Sequence, residues 1–212
     1  PTGRSGMTKI IVGDWRDDST GPMQVVSGPY GREKVHYSAP PAPRVAAEME
    51  AFLAWFNAPL TTDPVVKAAL AHFWFVTIHP FEDGNGRIAR AIADLALARS
   101  EGSSQRFYSM SAQIRTERNA YYDQLERTQK GATDVTSWIL WFLDCLGRAI
   151  HGADGVLAAV VAKGQFWERA AALALNERQI KVLNRLLDGF EGKMTSSKWA
   201  VIAKCSQDTA NR

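Results

Sequence analysis

Between His79 and Arg90 the chain reads His79-Pro80-Phe81-Glu82-Asp83-Gly84-Asn85-Gly86-Arg87-Ile88-Ala89-Arg90. An imidazole, two carboxylates, a glycine-rich turn and two arginines one helical turn apart therefore fall within one short stretch. Gly84, Asn85 and Gly86 let backbone N–H groups turn inward ahead of a helix, a geometry that with the helix dipole favours a phosphate. Arg87 and Arg90 bring permanent charge and forked donors suited to phosphate oxygens. Their plainer alternative is surface ion pairing, with Arg90 and Asp94 at i,i+4. A carboxylate such as Asp83 beside a phosphate makes sense if Mg²⁺ bridges the two, whereas Glu82 is expected to face solvent. His79 has the near-neutral reference pKa needed to take a proton from a hydroxyl nucleophile, although a lone histidine can also be structural. Phe81 reads as a core plug fixing the loop. From the residues alone, phosphoryl or nucleotidyl transfer leads, with simple anion binding and a purely structural loop as alternatives.

These groups need two helices and a tight loop to position them. Asp63-Pro64 reads as a cap followed by a first-turn proline. It opens a helix over 64–78 whose Val65, Ala68, Ala69, His72, Phe73, Phe75 and Val76 leave little polar face. Pro80 ends it at His79. A second core helix starts near Gly86, buries Ile88, Ala91, Ile92, Leu95 and Ala98, and carries Arg87 and Arg90 on an adjoining face.

Before these, residues 1–43 form a Gly- and Pro-rich extended region with strands expected at Lys9–Val12, Met23–Val26 and Lys34–Tyr37. Turn chemistry over Ser27-Gly28-Pro29-Tyr30-Gly31-Arg32 makes a hairpin of the last two. A helix is expected from Val45 to Phe56, and later ones at 103–112, 116–129, 134–150 and 157–174. Trp138, Trp141, Phe142, Cys145 and Ala149 make an aromatic core seam in the 134–150 helix, and His151 to Gly155 is expected to break the pattern. From Asn176 the chain looks separable. Asn176 with Gln179 reads as a helix N-terminus, Thr195 caps Ser196–Lys204, and Ser206 caps a helix from Gln207. These short helices resemble a helix-turn-helix or winged-helix unit over 176–212.

The run from His79 to Arg90 matches throughout the signature of Fic-domain protein adenylyltransferases, and the chain resembles that family over roughly residues 8–150. The resemblance implies an all-α Fic fold with a small β-hairpin flap, its helical domain over 44–175, and the helix-turn-helix-like unit behind it. It implies that His79 is the general base for a protein Ser, Thr or Tyr hydroxyl and that Asp83 coordinates Mg²⁺ on the nucleotide. Gly84, Asn85 and Gly86 become the anion nest, with the Asn85 side chain assisting at the α-phosphate. Arg87 then contacts the β-phosphate and Arg90 the γ-phosphate of ATP. Tyr121 and Tyr122 lie where the family builds its adenosine pocket. Val35 and Tyr37 would position the target on the flap, leaving His36 as an outward strand residue. The implied reaction moves AMP from ATP to the hydroxyl; removal of AMP, or another phosphate-containing donor, is the enzymatic alternative. Many relatives carry a Ser/Thr-x-x-x-Glu-Gly/Asn inhibitory helix. The sequence shows no convincing copy, so such a helix is expected upstream of Pro1.

The whole chain sets wide bounds. At 212 residues, with 46% hydrophobic and 22% charged residues, it can hold one full core and a small appended domain. A net charge of +3 permits a nucleic-acid surface without arguing for one. A DNA-binding regulator is the competing class, with Gln207, Asn211 and Arg212 as base-reading groups. A homodimer is a further expected partner arrangement. Cys145 and Cys205 read as free thiols, cytoplasmic location is the expectation, and no membrane partner is expected because no run approaches eighteen uninterrupted apolar residues.

Overall fold

Pro43 does not delay the first helix but sits inside its first turn, where a proline gives up an amide that has no partner anyway. The computed structural model describes residues 4–5, 8–29, 31–59, 61–102 and 106–211. Pro1, the predicted turn residue Tyr30, the 103–105 start of a predicted helix and Arg212 lie outside the described residues. The chain divides into two compact units, Pro1–Gly152 and Ala153–Arg212.

In the first unit, β1 (Arg4–Ser5) pairs antiparallel with β2 (Thr8–Lys9), so the expected strand over Lys9–Val12 is displaced and shorter. β3 (Gln24–Ser27) and β4 (Lys34–Ser38) form the expected hairpin, with Gln24 opposite Ser38 and Ser27 opposite Lys34. A bulge between Val25 and Val26 shifts the register midway. Helices α1 (Ala42–Asn57), α2 (Pro64–Ile78) and α3 (Asn85–Glu101) follow, and α2 packs against both of its neighbours. Asp63 caps α2 by accepting from the amides of Val65 and Val66.

The fold is mostly helical around a small antiparallel hairpin, as the sequence leads one to expect. Its core joins Val45, Phe52, Ala69, Phe75, Ala93, Leu97, Met110, Trp138 and Phe142. Each large apolar side chain buried there contributes about 1.5–3 kcal/mol relative to exposure. Trp138 also settles its indole N–H on the Ala69 carbonyl of α2 at 2.8 Å, so the aromatic seam is core.

Three helical expectations fail. α3 buries Asn85, Ala89, Ala93, Ala96 and Leu97, a stripe turned from the expected one, and leaves Ala91 and Leu95 exposed. Residues 106–109 are not helical, and α4 runs Met110–Thr116 because Ser109 supplies the cap, accepting from Ala112 N. α5 follows at Arg118–Lys130. The expected break at His151–Gly155 is absent: α6 continues from Thr136 to Ala170. Each interior glycine costs about 1 kcal/mol relative to alanine. The i→i−4 ladder continues through that cost, and His151 Nδ1 lies 2.7 Å from the Gly147 carbonyl. α6 is the one helix among the described residues long and apolar enough to cross a membrane by length and composition. Its Trp138, Phe142, Cys145 and Leu146 are nevertheless core residues of the first unit.

In the second unit, α7 (Glu177–Leu187), α8 (Ser196–Ala203) and α9 (Gln207–Asn211) start where their caps predict. Asn176 and Gln179 form a reciprocal capping box, and Thr195 accepts from Lys198 N. The Gln207 side-chain amide donates to Ser196 Oγ at 2.8 Å and to Asn211 Oδ1 at 3.4 Å.

Candidate active site

His79 is built by the way α2 ends. It is the C-cap residue in a left-handed conformation, φ 51° and ψ 56°, which costs a non-glycine residue roughly 1–2 kcal/mol. Arg16 clamps this turn. Its Nε donates to the His79 carbonyl at 2.7 Å, its Nη2 to Pro40 O at 2.5 Å and its Nη1 to Asp18 at 3.2 Å. Its backbone N–H reaches Pro80 O at 2.9 Å. Arg16 is only 3% exposed, so this cation replaces its water shell with fixed acceptors at the point where the motif begins. The imidazole Nδ1 lies 3.2 Å from Val76 O. A carbonyl can only accept, so the proton sits on Nδ1 and Nε2 is left free to take another. Burial pushes the His79 pKa below its ordinary value; the Val76 bond opposes that and the Arg16 charge adds to it. The ring is thereby kept neutral, with Nε2 open to a proton.

The loop after His79 is stapled from within. Asn85 is 2% exposed, and its amide both accepts from Phe81 N at 3.0 Å and donates to Phe81 O at 2.6 Å. The Asn85 side chain therefore holds the loop. Phe81 packs on Trp15 and Phe75, with centroids at 5.1 and 6.4 Å. Glu82 does not face solvent as expected, because its carboxylate accepts from Ile11 N at 2.7 Å and ties the N-terminal segment to the motif. Gly84 caps α3 at φ 87°, a value that favours glycine. The amides of Asn85, Gly86 and Arg87 have no hydrogen-bond acceptor among the described residues, as first-turn amides of a helix do not. A Cβ on Gly86 would stand 3.6 Å from Arg90 Nη1, so glycine leaves a cradle between those amides and the guanidinium. Free amides, a cradle and a cation beside it together suit a phosphate.

The structure brings His79, Asp83, Gly84, Asn85, Gly86, Arg90, Tyr121 and Tyr122 to one cleft of about 740 Å³, with Tyr37 at its flap side. Arg87 and Val35 are not among its lining residues. The Arg87 side chain is 74% exposed and sits 3.6 Å from Asp83. Val25 and Val26 of β3 line the cleft instead of Val35. Arg90 does not pair with Asp94, which takes Arg106 at 3.1 Å. Arg90 instead faces the cleft near buried Tyr121 and His72. Tyr121 is 2% exposed, its hydroxyl is 3.0 Å from His72 Nε2, and burial followed by the Arg90 charge pushes His72 down to about 3. Tyr122 is half exposed at the rim.

Tyr37 donates its hydroxyl to Thr77 O at 2.6 Å, clasping the flap to the end of α2, and burial pushes its pKa up to about 12. His36 is not an outward residue. Strand alternation sends Tyr37 to α2 and His36 to α5, where it meets Glu126 at 2.5 Å. Arg16 and the His36 partners escape sequence reading because they join positions far apart with no local period.

Among the described residues no group of three or more His, Cys, Asp or Glu side chains is placed to hold a metal ion. Asp83 offers one hard, accessible carboxylate beside the phosphate cradle. That suits Mg²⁺, which is commonly held by one or two carboxylates together with substrate phosphates.

Residues 4–97 match the Fic/DOC family. The protein adenylyltransferases Fic of Culex quinquefasciatus and Drosophila yakuba are each 32% identical over 131 residues, 59% of this chain and 25% of theirs. The chain thus spans a quarter of the length of those curated relatives. The crystal structure of a Fic family protein from Desulfovibrio desulfuricans G20 superposes with a TM-score of 0.57 at 23% identity, over 97% of this chain and 55% of that one. At that identity the likeness shows the fold.

Proposed function

We propose that this chain, similar over residues 4–97 to the Fic/DOC family and at moderate identity to Fic adenylyltransferases, is a Fic enzyme that transfers AMP from ATP to a Ser, Thr or Tyr hydroxyl of a protein. The observation that carries the reading is the pairing of a half-buried His79, its Nδ1 3.2 Å from Val76 O, with the unpartnered amides at the start of α3 in one cleft.

The free Nε2 of His79 takes the proton of the acceptor hydroxyl, whose oxygen then attacks the α-phosphorus as pyrophosphate departs. The amides of Asn85, Gly86 and Arg87 are already oriented, so they stabilise growing charge on phosphate oxygens without reorganising. Arg90, on the cleft wall, holds the terminal phosphate and sets which phosphorus faces His79. Arg87, exposed beside Asp83, would turn inward to meet the β-phosphate. Asp83 would hold Mg²⁺, which when bound neutralises phosphate charge. Tyr122, half exposed at the cleft, offers aromatic surface to the adenine, and buried Tyr121 backs it from the core with ring centroids 5.2 Å apart. The flap, clasped at Tyr37, presents backbone on which an extended target segment can pair, with Val35 on its exposed side.

The test uses ATP labelled at the α-phosphate, Mg²⁺ and a separate hydroxyl-bearing acceptor protein mixture. Label on those acceptors should require both His79 and Arg90, while His79→Ala still binds ATP. Labelling of the acceptors that survives His79→Ala would contradict the assignment.

A further inference from the structure

Behind Arg90 stands a buried ring that neither the proton transfer nor the phosphate contacts use. His72 of α2 is fully buried, with Trp138 and Phe142 at ring centroids of 5.2 and 6.3 Å. Burial first and then the Arg90 charge push its pKa down to about 3, so the ring is neutral. Only one of its nitrogens is engaged. Nε2 lies 3.0 Å from the Tyr121 hydroxyl of α5, while buried Nδ1 has no partner among the described residues. Buried polar atoms are ordinarily paired, and an apolar ring of the same shape would serve a packing role as well. What the imidazole adds is a fixed direction for the Tyr121 hydroxyl.

Tyr121 is 2% exposed yet lines the cleft. Its phenol oxygen keeps a free lone pair whichever nitrogen of His72 carries the proton. Arg90 of α3 has no carboxylate partner among the described residues, because Asp94 takes Arg106. Its guanidinium, which can only donate, lies against the Tyr121 hydroxyl: burial pushes the Tyr121 pKa up, and the Arg90 charge and its hydrogen bond oppose that. Toward the cleft, Arg90 Nη1 stands 3.6 Å from where a Cβ on Gly86 would be.

We propose that His72 and Tyr121 are positioning residues: the His72 ring orients the Tyr121 hydroxyl, and that hydroxyl holds the Arg90 guanidinium beside the first-turn amides of α3 before a nucleotide arrives. This rests on reading the cleft as an ATP site with Arg90 on the terminal phosphate. Without the hydroxyl, Arg90 has to be ordered at the moment of binding, and that cost falls only on ligands that carry the third phosphate. α2 then carries His79 at its end and, earlier in the same helix, the ring that backs Arg90, so one rigid element sets both groups.

The test measures binding of ATP and of ADP, each with Mg²⁺, by calorimetry on the full chain. The variants are Tyr121→Phe, which removes only the hydroxyl, His72→Phe, Arg90→Ala, and Tyr121→Phe combined with Arg90→Ala, with melting temperature as the control. ATP affinity should fall about 2- to 12-fold in Tyr121→Phe and in His72→Phe, the cost of ordering one long side chain. ADP affinity should hold, and Tyr121→Phe should add nothing once Arg90 is replaced. Equal losses for ATP and ADP in folded Tyr121→Phe, or a loss that persists in the Arg90→Ala background, overturn the positioning role and leave the ATP reading standing. An ATP affinity lowered by Arg90→Ala but unmoved by Tyr121→Phe does the same. No ATP binding, or ATP binding indifferent to Arg90→Ala, overturns the reading of the cleft and the proposal with it.

Discussion

Arg16→Met should unseat His79 from outside the cleft. The guanidinium serves the carbonyls of His79 and Pro40 and the Asp18 carboxylate. Leaving a buried acceptor without its donor costs about 1–3 kcal/mol, so the two carbonyls alone put the loss at about 2–6 kcal/mol. That exceeds the roughly 1–2 kcal/mol of left-handed strain at His79, which is why the turn holds in the native chain and should relax in the variant. For a unit of this size each kcal/mol moves Tm by about 2–4 °C, so a fall of about 4–24 °C is expected. Displacing the imidazole should lower kcat about 10²-fold at saturating ATP, with little change in ATP affinity.

A second readout separates positioning from simple loss of stability. Burial comes first in holding the His79 pKa down, but the Arg16 charge adds to it. In Arg16→Met the NMR titration midpoint of His79 should therefore move up. Arg16→Lys keeps the charge but not the fork, so it should lose stability while keeping the midpoint low. A variant Arg16→Met that melts like the native chain, with an unmoved His79 midpoint, would refute the reasoning.

Two pH effects follow from the histidines. His79 must be neutral to accept a proton and its pKa is lowered, so kcat/KM should stay level as pH falls through 6.5 and decline only below it. An acid limb at or above 6.5 in the rate profile would contradict this. His72, pushed to about 3 by burial and then Arg90, binds its proton more readily in the unfolded chain. The stability it contributes is present above 6.5 and lost as pH falls from there toward 3, by about 2 kcal/mol at pH 5. Calorimetry on the native chain and His72→Phe should show a smaller loss between pH 7.5 and 5 in the variant; equal losses would refute the role.

Local chemistry made much of this fold legible. Caps at Asp63, Asn176 and Thr195 place helix starts because a side-chain oxygen meeting first-turn amides is a short-range event. The His79–Arg90 motif is legible for the same reason, since a loop and a helix N-terminus lie within a few residues. The helix over 103–112 and the break at 151–155 misled because composition was weighed without context. Ser109 offers the better cap, and α6 carries its glycines within a long ladder. Arg16, Glu82 with Ile11, and His36 with Glu126 could not be found, since each joins segments 63 to 90 positions apart. The Arg90–Asp94 pair was allowed by helix spacing, but Arg106 arrives from another segment to take the carboxylate.

In the proposed transfer the nucleotide's α-phosphorus, not its γ-phosphorus, is attacked in the cleft between His79 and the start of α3. The most direct measurement supplies the chain and acceptor proteins with ATP labelled either at the α- or at the γ-phosphate, in matched reactions with Mg²⁺. The account predicts α-label on protein hydroxyls and γ-label released in pyrophosphate. The γ-label on protein, or release of free phosphate in place of pyrophosphate, would contradict it.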